Sequence, residues 1–278
     1  MSRHSPCIGI CRLDDATGYC LGCGRTGAEV GEWMAMSESQ RDAVWEKLPA
    51  RLSALSVRVR LLPWIRDELV NWARDTLVAR QGAWTVGEPD ITKSFACSHT
   101  STMHIRVDAD AIVAEFPNAA FRLAINEKVR AFSFSDGGPI VLGLPRGRAA
   151  LPLASTIQPL GPDAEAIRLA ARNDATFDIG MGLRYTRCCV RTNDPALKGA
   201  LEALASQGTS AFTPAILDQM TAAGAHLVVE SAAARIEIYE MNWITDPPSA
   251  DLQKSQPDGN AKLDLPSYAV PVAAFQPL

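Results

Sequence analysis

Four of the seven cysteines in this chain lie within seventeen residues near its amino terminus. Cys7 and Cys11 are separated by three residues and Cys20 and Cys23 by two, which gives the pattern C-x3-C-x8-C-x2-C. Thiolates are soft ligands, and four of them suit tetrahedral Zn²⁺, a single iron ion or an iron–sulfur cluster. Because a gap of two or three residues lets the chain turn and direct two sulfurs at one centre, the spacing predicts one metal centre on these four residues.

The residues around the cysteines also suit a metal site. Gly9, Gly22 and Gly24 permit tight turns and let backbone N–H groups approach the sulfurs. Arg12 and Arg25 follow the two pairs and can offset negative charge on a cluster. The turn that contains Cys20 and Cys23 is similar to the knuckles of zinc ribbons and of rubredoxin-type iron sites, so zinc and an iron–sulfur cluster both remain open. Free thiols and disulfides are the weaker alternatives, because cysteine clusters of intracellular chains tend to bind metal.

Composition and charge exclude several classes of protein. The chain has 278 residues, of which 27 are Lys or Arg and 31 are Asp or Glu, so its net charge is −4. Residues 1–60 carry 8 basic and 7 acidic side chains, and because this segment is not strongly basic a nucleic-acid partner is not expected. No apolar run is long enough to cross a membrane, and the first residues lack the apolar region of a secretory signal. A cytoplasmic location is the expectation.

Two short helices are predicted directly after the cysteines. Thr26 with Glu29, and Ser37 with Gln40, form capping-box patterns at the two helix starts. The second helix is expected to end near Pro49. Trp33 and Trp45 fall on these helices, and we expect both rings to pack against the cysteine loop.

The rest of the chain reads as α+β with mainly antiparallel strands. A helix is predicted from Leu61 to about Arg80, followed after Gly82 by short β-rich runs with short connections. A helix is also expected over Asp163–Arg172. Two more helices are predicted, from Pro195 to Ala205 and from Pro214 to Ala223. The predicted strands are Met103–Val107, Ala111–Phe116, Phe121–Ile125, Val129–Phe134, Pro139–Leu144, Thr186–Thr192, Leu227–Glu230 and Arg235–Met241.

These elements suggest three parts. Residues 1–55 form the predicted four-cysteine module, residues 60–245 an α+β domain, and residues 246–278 a proline-rich, irregular tail. The segment 51–60 is the expected junction between the first two.

Residues 5–52 resemble a known bacterial family of short four-cysteine proteins, described as predicted Fe–S proteins of unknown function. The resemblance rests on Ser5-Pro-Cys-Ile-Gly-Ile-Cys-Arg-Leu-Asp14 and Gly18-Tyr-Cys-Leu-Gly-Cys-Gly-Arg-Thr26, with Glu29, Trp33, Arg41 and Leu48-Pro-Ala-Arg51. It implies a metal site on Cys7, Cys11, Cys20 and Cys23. The remainder, with Phe177-Asp-Ile-Gly180, Cys189–Pro195 and Arg235–Tyr239, is similar to an uncharacterised bacterial domain, and this similarity brings no activity with it.

The other cysteines and histidines give weaker signals. Cys97, His99 and His104 could form a second metal site, but surface or packed side chains are the preferred interpretation. Cys188 and Cys189 are adjacent, so on a strand they face opposite sides, and a role in the core is expected. None of the common hydrolase or nucleotide-binding motifs is present, and the sequence predicts no reaction.

The functional prediction is therefore a metal-binding protein. In the first interpretation the four-cysteine centre is chiefly structural, and the α+β domain binds a protein partner or a small ligand. In the alternative, an Fe–S centre carries electrons or senses iron or oxidants, with an enzymatic second domain as a possibility.

Overall fold

Two antiparallel sheets packed face to face form the body of the protein. A computed structural model describes residues 4–88, 91–108, 110–135, 137–209, 214–240, 265 and 269–277. Every pairing between neighbouring strands in both sheets is antiparallel within these residues. The predicted α+β class, with helices first and a mainly antiparallel domain after them, is confirmed.

The helices are short, apart from the second and third. They are α1 (Gly27–Glu32), α2 (Glu38–Ala54), α3 (Arg66–Ala79), α4 (Arg146–Ala149), α5 (Pro195–Ser206) and α6 (Pro214–Ala222). The first two begin as predicted, because the side chains of Thr26 and Ser37 both accept backbone N–H groups in complete capping boxes. The predicted end at Pro49 is wrong. Helix α2 runs through this proline to Ala54, so its buried face continues to Leu52.

Successive runs of strands along the chain belong to one sheet and then to the other. The first seven are β1 (Val59–Leu61), β2 (Gly82–Glu88), β3 (Ile91–Cys97), β4 (His104–Val107), β5 (Ala111–Glu115), β6 (Ala119–Ala124) and β7 (Arg130–Phe134). The other seven are β8 (Ile140–Pro145), β9 (Gln158–Pro162), β10 (Ala175–Asp178), β11 (Thr186–Thr192), β12 (His226–Ser231), β13 (Ala234–Ile238) and β14 (Ala269–Pro277).

One sheet has the strand order β1-β7-β8-β14-β2-β3 and the other β4-β5-β6-β13-β12-β11-β10-β9. Their facing surfaces share one large core, to which α3, α5 and α6 add side chains. Trp84 and Phe121 are fully buried at its centre with their ring centroids 6.3 Å apart. The larger sheet therefore has an inner face in the core and an outer face, which carries its charged residues.

Strand β14 replaces the irregular tail that the sequence predicts for its residues. It lies between β8 and β2 and joins the two halves of the smaller sheet. Its prolines hid the strand pattern, since proline removes a ladder hydrogen bond. The structure accommodates Pro271 at a register shift against β8. Residues 246–264, 266–268 and 278 of the predicted tail lie outside the described residues.

The predicted helix over Asp163–Arg172 is wrong, except for a single 3₁₀ turn at Leu169–Ala171. The backbone N–H of Ile167 donates to the carboxylate of Glu237, 2.8 Å away, and not to a carbonyl one turn earlier. Tertiary contacts with the outer face of the larger sheet thus override the local helical pattern. We call residues 163–172 the covering segment.

The cysteine-rich end packs on the smaller sheet. Ile8 of the cysteine loop lies in one cluster with Trp33 and Trp45, as expected, and the same cluster includes Leu61 of β1 and Phe132 of β7. The predicted junction is therefore partly structured, because α2 extends into it and β1 pairs with β7. The helix predicted from Leu61 instead begins at Arg66, after Ile65 as its N-cap.

Candidate metal centre

Two adjoining turns hold the four predicted cysteine ligands. A β-bridge pairs Leu13 with Cys20, and the N–H of Leu21 donates to the carbonyl of Arg12 at 2.8 Å. Gly22 lies against Ile10, and a Cβ atom added to this glycine would be 2.6 Å from the Ile10 carbonyl oxygen. Only glycine fits such a contact without a shift of the backbone, so this residue sets how closely the two turns approach each other.

The four thiols are free and form two pairs. Cys11 interacts with Cys7, and Cys20 with Cys23, and a weaker electrostatic interaction links Cys11 with Cys20. Cys20 and Cys23 are buried, Cys7 is half-buried and Cys11 is exposed. One cysteine pair thus faces the module's interior and the other lies near solvent.

Nitrogen donors surround three of the four sulfurs. The N–H of Gly9 donates to the Cys7 sulfur and the Nε of Arg25 to the Cys23 sulfur, each at 3.4 Å. Backbone N–H groups of Gly22 and Cys23 donate to the Cys20 sulfur. These donors favour thiolate, the form that binds metals.

Burial and hydrogen-bond donors shift the pKa values of these thiols in opposite directions. Burial raises the pKa of Cys23, although Arg25 opposes it. Burial acts in the same direction on Cys20, but its backbone donors outweigh it and the pKa of this thiol is lowered. The neighbouring Cys7 raises the pKa of Cys11, since two thiolates repel each other.

The residues fit a thiophilic metal in the chemistry of their donors, but their sulfurs are not gathered at one point. Throughout the described parts of the chain, no group of three or more Cys, His, Asp or Glu side chains has an arrangement that could hold a metal ion.

The helices of the module hold the turns in place through charged side chains. Arg25 is buried and lies 4.8 Å from the ring centre of Trp33. Arg51 of α2 pairs with Glu29 at 2.6 Å, donates to the Gly24 carbonyl, and stacks over Tyr19. Glu29 also completes the cap of α1. One arginine therefore joins the cysteine turns to both helices.

The remaining cysteines and histidines are separate from this centre. Cys97 and Cys188 are buried in the main core, and burial raises their pKa values to about 11 and about 12. Cys189 lies buried on the opposite face of β11, as the alternation predicts. His99 and His104 are exposed.

A buried ionic cluster on the outer face of the larger sheet escaped the sequence analysis. Arg191 donates to Glu237 at 2.8 Å and to Asp163 at 2.9 Å. Arg235 donates to Glu237 at 2.7 Å and also contacts Asp163 and Glu230. The side chains of Arg191 and Glu237 are fully buried. Alternating charges in Arg235-Ile-Glu237 are the sequence signal that indicates the outer face, but they do not identify partners on distant strands.

His226 extends this cluster. Its Nδ1 lies 3.0 Å from a guanidinium nitrogen of Arg191, and its ring contacts Tyr239 edge to face. Burial, with Arg191 beside it, lowers the pKa of His226, so the ring is neutral at pH 7. Among the described atoms, Arg191 Nε, Thr176 Oγ1 and the Tyr239 hydroxyl are buried without a hydrogen-bond partner. Ordered water commonly satisfies such groups.

Fold and site together define a cysteine-rich N-terminal module packed on a two-sheet α+β protein. The chain belongs to a family described as a family of unknown function, DUF6925, whose model matches residues 68–269. Residues 5–52 match a second family model, described as a protein of unknown function, DUF1289. This second family is cysteine-rich and commonly described as predicted Fe–S proteins, so the resemblance noted over residues 5–52 is confirmed. No curated protein and no solved structure matches the chain significantly.

A helix that crosses a bilayer must be both long and apolar. Among the described residues, no helix combines the length and the apolar character needed to cross a bilayer.

Proposed function

We propose that residues 5–52 bind one metal ion or cluster through Cys7, Cys11, Cys20 and Cys23, and that this centre chiefly stabilises the module. The attached α+β domain binds a small ligand or a protein partner. The observation that carries the metal proposal is the set of four reduced thiols within one short loop, three of which accept N–H groups. Such donors stabilise the thiolate form that a metal binds more than they stabilise a neutral thiol.

A structural role follows from how little core the loop has. Ile8 is buried, but Ile10 and Leu13 are exposed by 44% and 47%. A segment with so few buried apolar groups gains little from burial to offset its ordering entropy. A bound metal would draw the two sulfur pairs to one point and supply that free energy.

Four protein ligands also leave no open position for a substrate. A tetrahedral zinc site of this kind is closed and contributes to folding. Arg25 would then offset part of the negative charge of four thiolates, while Gly22 would keep the turns close enough for all four sulfurs to reach one ion.

An Fe–S centre with a redox or sensing role is the second candidate. The description of the second family favours it. The exposure of Cys11 favours it too, because an electron donor or an oxidant needs access to the cluster. Visible absorbance and acid-labile sulfide in protein purified without oxygen would support this candidate, whereas colourless protein with one zinc per chain would exclude it.

The experiment that tests metal binding compares the metal content of two variants of the full chain. Replacing Cys7, Cys11, Cys20 and Cys23 with Ser together should abolish the bound metal and make residues 5–52 sensitive to protease. The control Cys97→Ala removes a buried thiol of the main core and should leave the metal content unchanged. Equal metal content in the quadruple variant and the wild-type protein would contradict the proposal.

A further inference from the structure

An aromatic groove lies beside α3, on the side of the protein that carries β2 and β14. Its volume is about 630 Å³, within the range of cavities that hold small organic ligands. Trp64, Trp72 and Phe275 line its apolar part. These residues come from the segment before α3, from the helix itself and from β14, so three separate parts of the chain build the groove.

One face of α3 forms a wall of the groove, next to the face that enters the core. Leu69, Ala73 and Leu77 recur every four residues and are fully buried. Glu68, Trp72 and Asp75 are spaced four and three residues apart, so they share a neighbouring face of the helix, and they line the groove. The buried face of α3 therefore packs in the core, and this packing holds the residues that line the groove in position.

The tryptophan rings of the groove are held by their contacts. The ring centroids of Trp64 and Trp72 are 5.3 Å apart at an interplanar angle of 39°, and Trp72 meets Phe275 edge-on at 6.0 Å. Trp72 also contacts the buried Trp84 at 5.4 Å. Trp64 and Trp72 are only half-buried, so parts of their rings border the groove.

The charge of the groove is negative. Glu68 and Asp75 are the ionisable residues among the side chains that line it in the described part of the chain. Asp75 pairs with Arg74 at 2.8 Å, with both side chains largely exposed. Such a surface pair contributes little, so the Asp75 carboxylate can also interact with a second cation in the groove.

We propose that this groove binds a small organic cation, an alkylated ammonium whose carbon atoms contact Trp64 and Trp72 and whose charge lies near Asp75. Aromatic faces attract cations through their quadrupole, and tryptophan does so most strongly. The two carboxylates add charge complementarity. The inference specifies the ligand class of the α+β domain within the proposed function, and it does not depend on the metal centre.

The test titrates the full-length protein with three probes: choline, tetramethylammonium and butylammonium. Tryptophan fluorescence reports binding, and 3,3-dimethylbutan-1-ol serves as the uncharged counterpart of choline. We expect saturable binding of a cation and at least roughly fivefold weaker binding of the alcohol, as a cation–aromatic contact predicts. No saturable response to any cation at tens of millimolar, or equal affinity for choline and the alcohol, would overturn the proposal.

Two variants on the same helix locate the site. Asp75→Asn should weaken cation binding severalfold, whereas Asp67→Asn, an equal change of charge outside the groove lining, should leave the affinity unchanged. Equal weakening by both variants would place the cation elsewhere and overturn the assignment. Trp64→Leu should weaken cation binding severalfold, with Trp72 still reporting it by fluorescence, and if this variant fails to fold, the pair of Asp variants still decides. Metal content is measured on the same samples, so that a failure of cation binding can be distinguished from a failure of the proposed metal centre.

Discussion

Two buried arginines, Arg191 and Arg235, share two buried carboxylates, Asp163 and Glu237, on the outer face of the larger sheet. Removing charges from water costs several kcal/mol per ion, and only complete pairing offsets this cost. The cluster is therefore more important for the position of the covering segment than for net stability, because Asp163 can satisfy both arginines only when that segment lies against the sheet.

Glu237→Gln should lower the free energy of unfolding by about 3–5 kcal/mol, since it leaves two buried guanidinium groups short of one negative charge. Urea denaturation monitored by circular dichroism measures the change. The control is Glu165→Gln, which breaks the pair with Arg122 at an exposed carboxylate and should cost less than about 1 kcal/mol. Similar losses in both variants would show that the cluster is not desolvated as described.

Stability should also depend on pH through Glu237. Burial raises the pKa of this carboxyl group, but Arg191 and Arg235 outweigh it, and the pKa lies below its usual value of 4.5. A lowered pKa in the folded state stabilises the protein above pH 4.5, and this contribution is lost as the pH falls further. Burial shifts the pKa of Asp178 upward and works against the trend. Urea denaturation should show that the free energy of unfolding falls between pH 7 and pH 3, and that it falls less in Glu237→Gln than in the wild-type protein. An equal fall in the variant and the wild-type protein would refute this assignment.

Gly22 offers a test of the cysteine turns at the level of one atom. Gly22→Ala should reduce metal retention, because the added methyl group would meet the Ile10 carbonyl and push the two turns apart. Gly31→Ala in α1 is the matched control, since its methyl group would meet nothing within 4 Å. Metal content after dialysis against a mild chelator distinguishes the two, and unchanged retention in Gly22→Ala would argue against a centre that needs the turns close together.

Among the helices and strands, those that depend on interactions between residues close in sequence were predicted from local sequence patterns. The capping boxes at Thr26 and Ser37 placed the starts of α1 and α2, and the strand predicted over Thr186–Thr192 has the same bounds as β11. The covering segment and β14 were not predictable in this way. The first has a local helical pattern that contacts with distant charged residues override. The second pairs with strands far away in the chain, so its own sequence shows no clear strand pattern.

Strand β14 should be essential to the smaller sheet because it lies between β8 and β2. Val272→Asp would place a charge at a position that is 1% exposed, and we expect it to destabilise the protein by roughly 3–5 kcal/mol. Gln276→Asp on the exposed end of the same strand should have little effect. Thermal unfolding of the two variants provides the comparison, and a similar melting temperature for both would contradict a central position for β14.

At the scale of the whole molecule, the module that we propose to be metal-dependent rests on a body that we expect to fold without it. The shared cluster of Trp45, Leu61 and Phe132 connects the two, but the main core lies between the sheets. The cysteine pattern predicted the candidate ligands from the sequence. The contacts of the module with the smaller sheet could not be predicted, because they depend on which strands become neighbours.

Removal of the metal by a chelator should therefore unfold the module and leave the sheets intact. Hydrogen exchange should show loss of protection in residues 5–52, while β11, β12 and β13 keep theirs, because a structural metal contributes folding free energy only where its ligands lie. Loss of protection throughout the chain would show instead that the sheets depend on the module. No change anywhere would contradict a structural metal.

X-ray absorption at the metal edge of the purified full-length protein tests the central claim most directly, because it counts the atoms bound to the metal. Ligation by Cys7, Cys11, Cys20 and Cys23 predicts a first shell of four sulfur atoms, at ~2.3 Å if the metal is zinc. The signal should be absent from the variant in which all four cysteines are Ser. A first shell of nitrogen and oxygen atoms, or a sulfur shell that persists in that variant, would contradict the account.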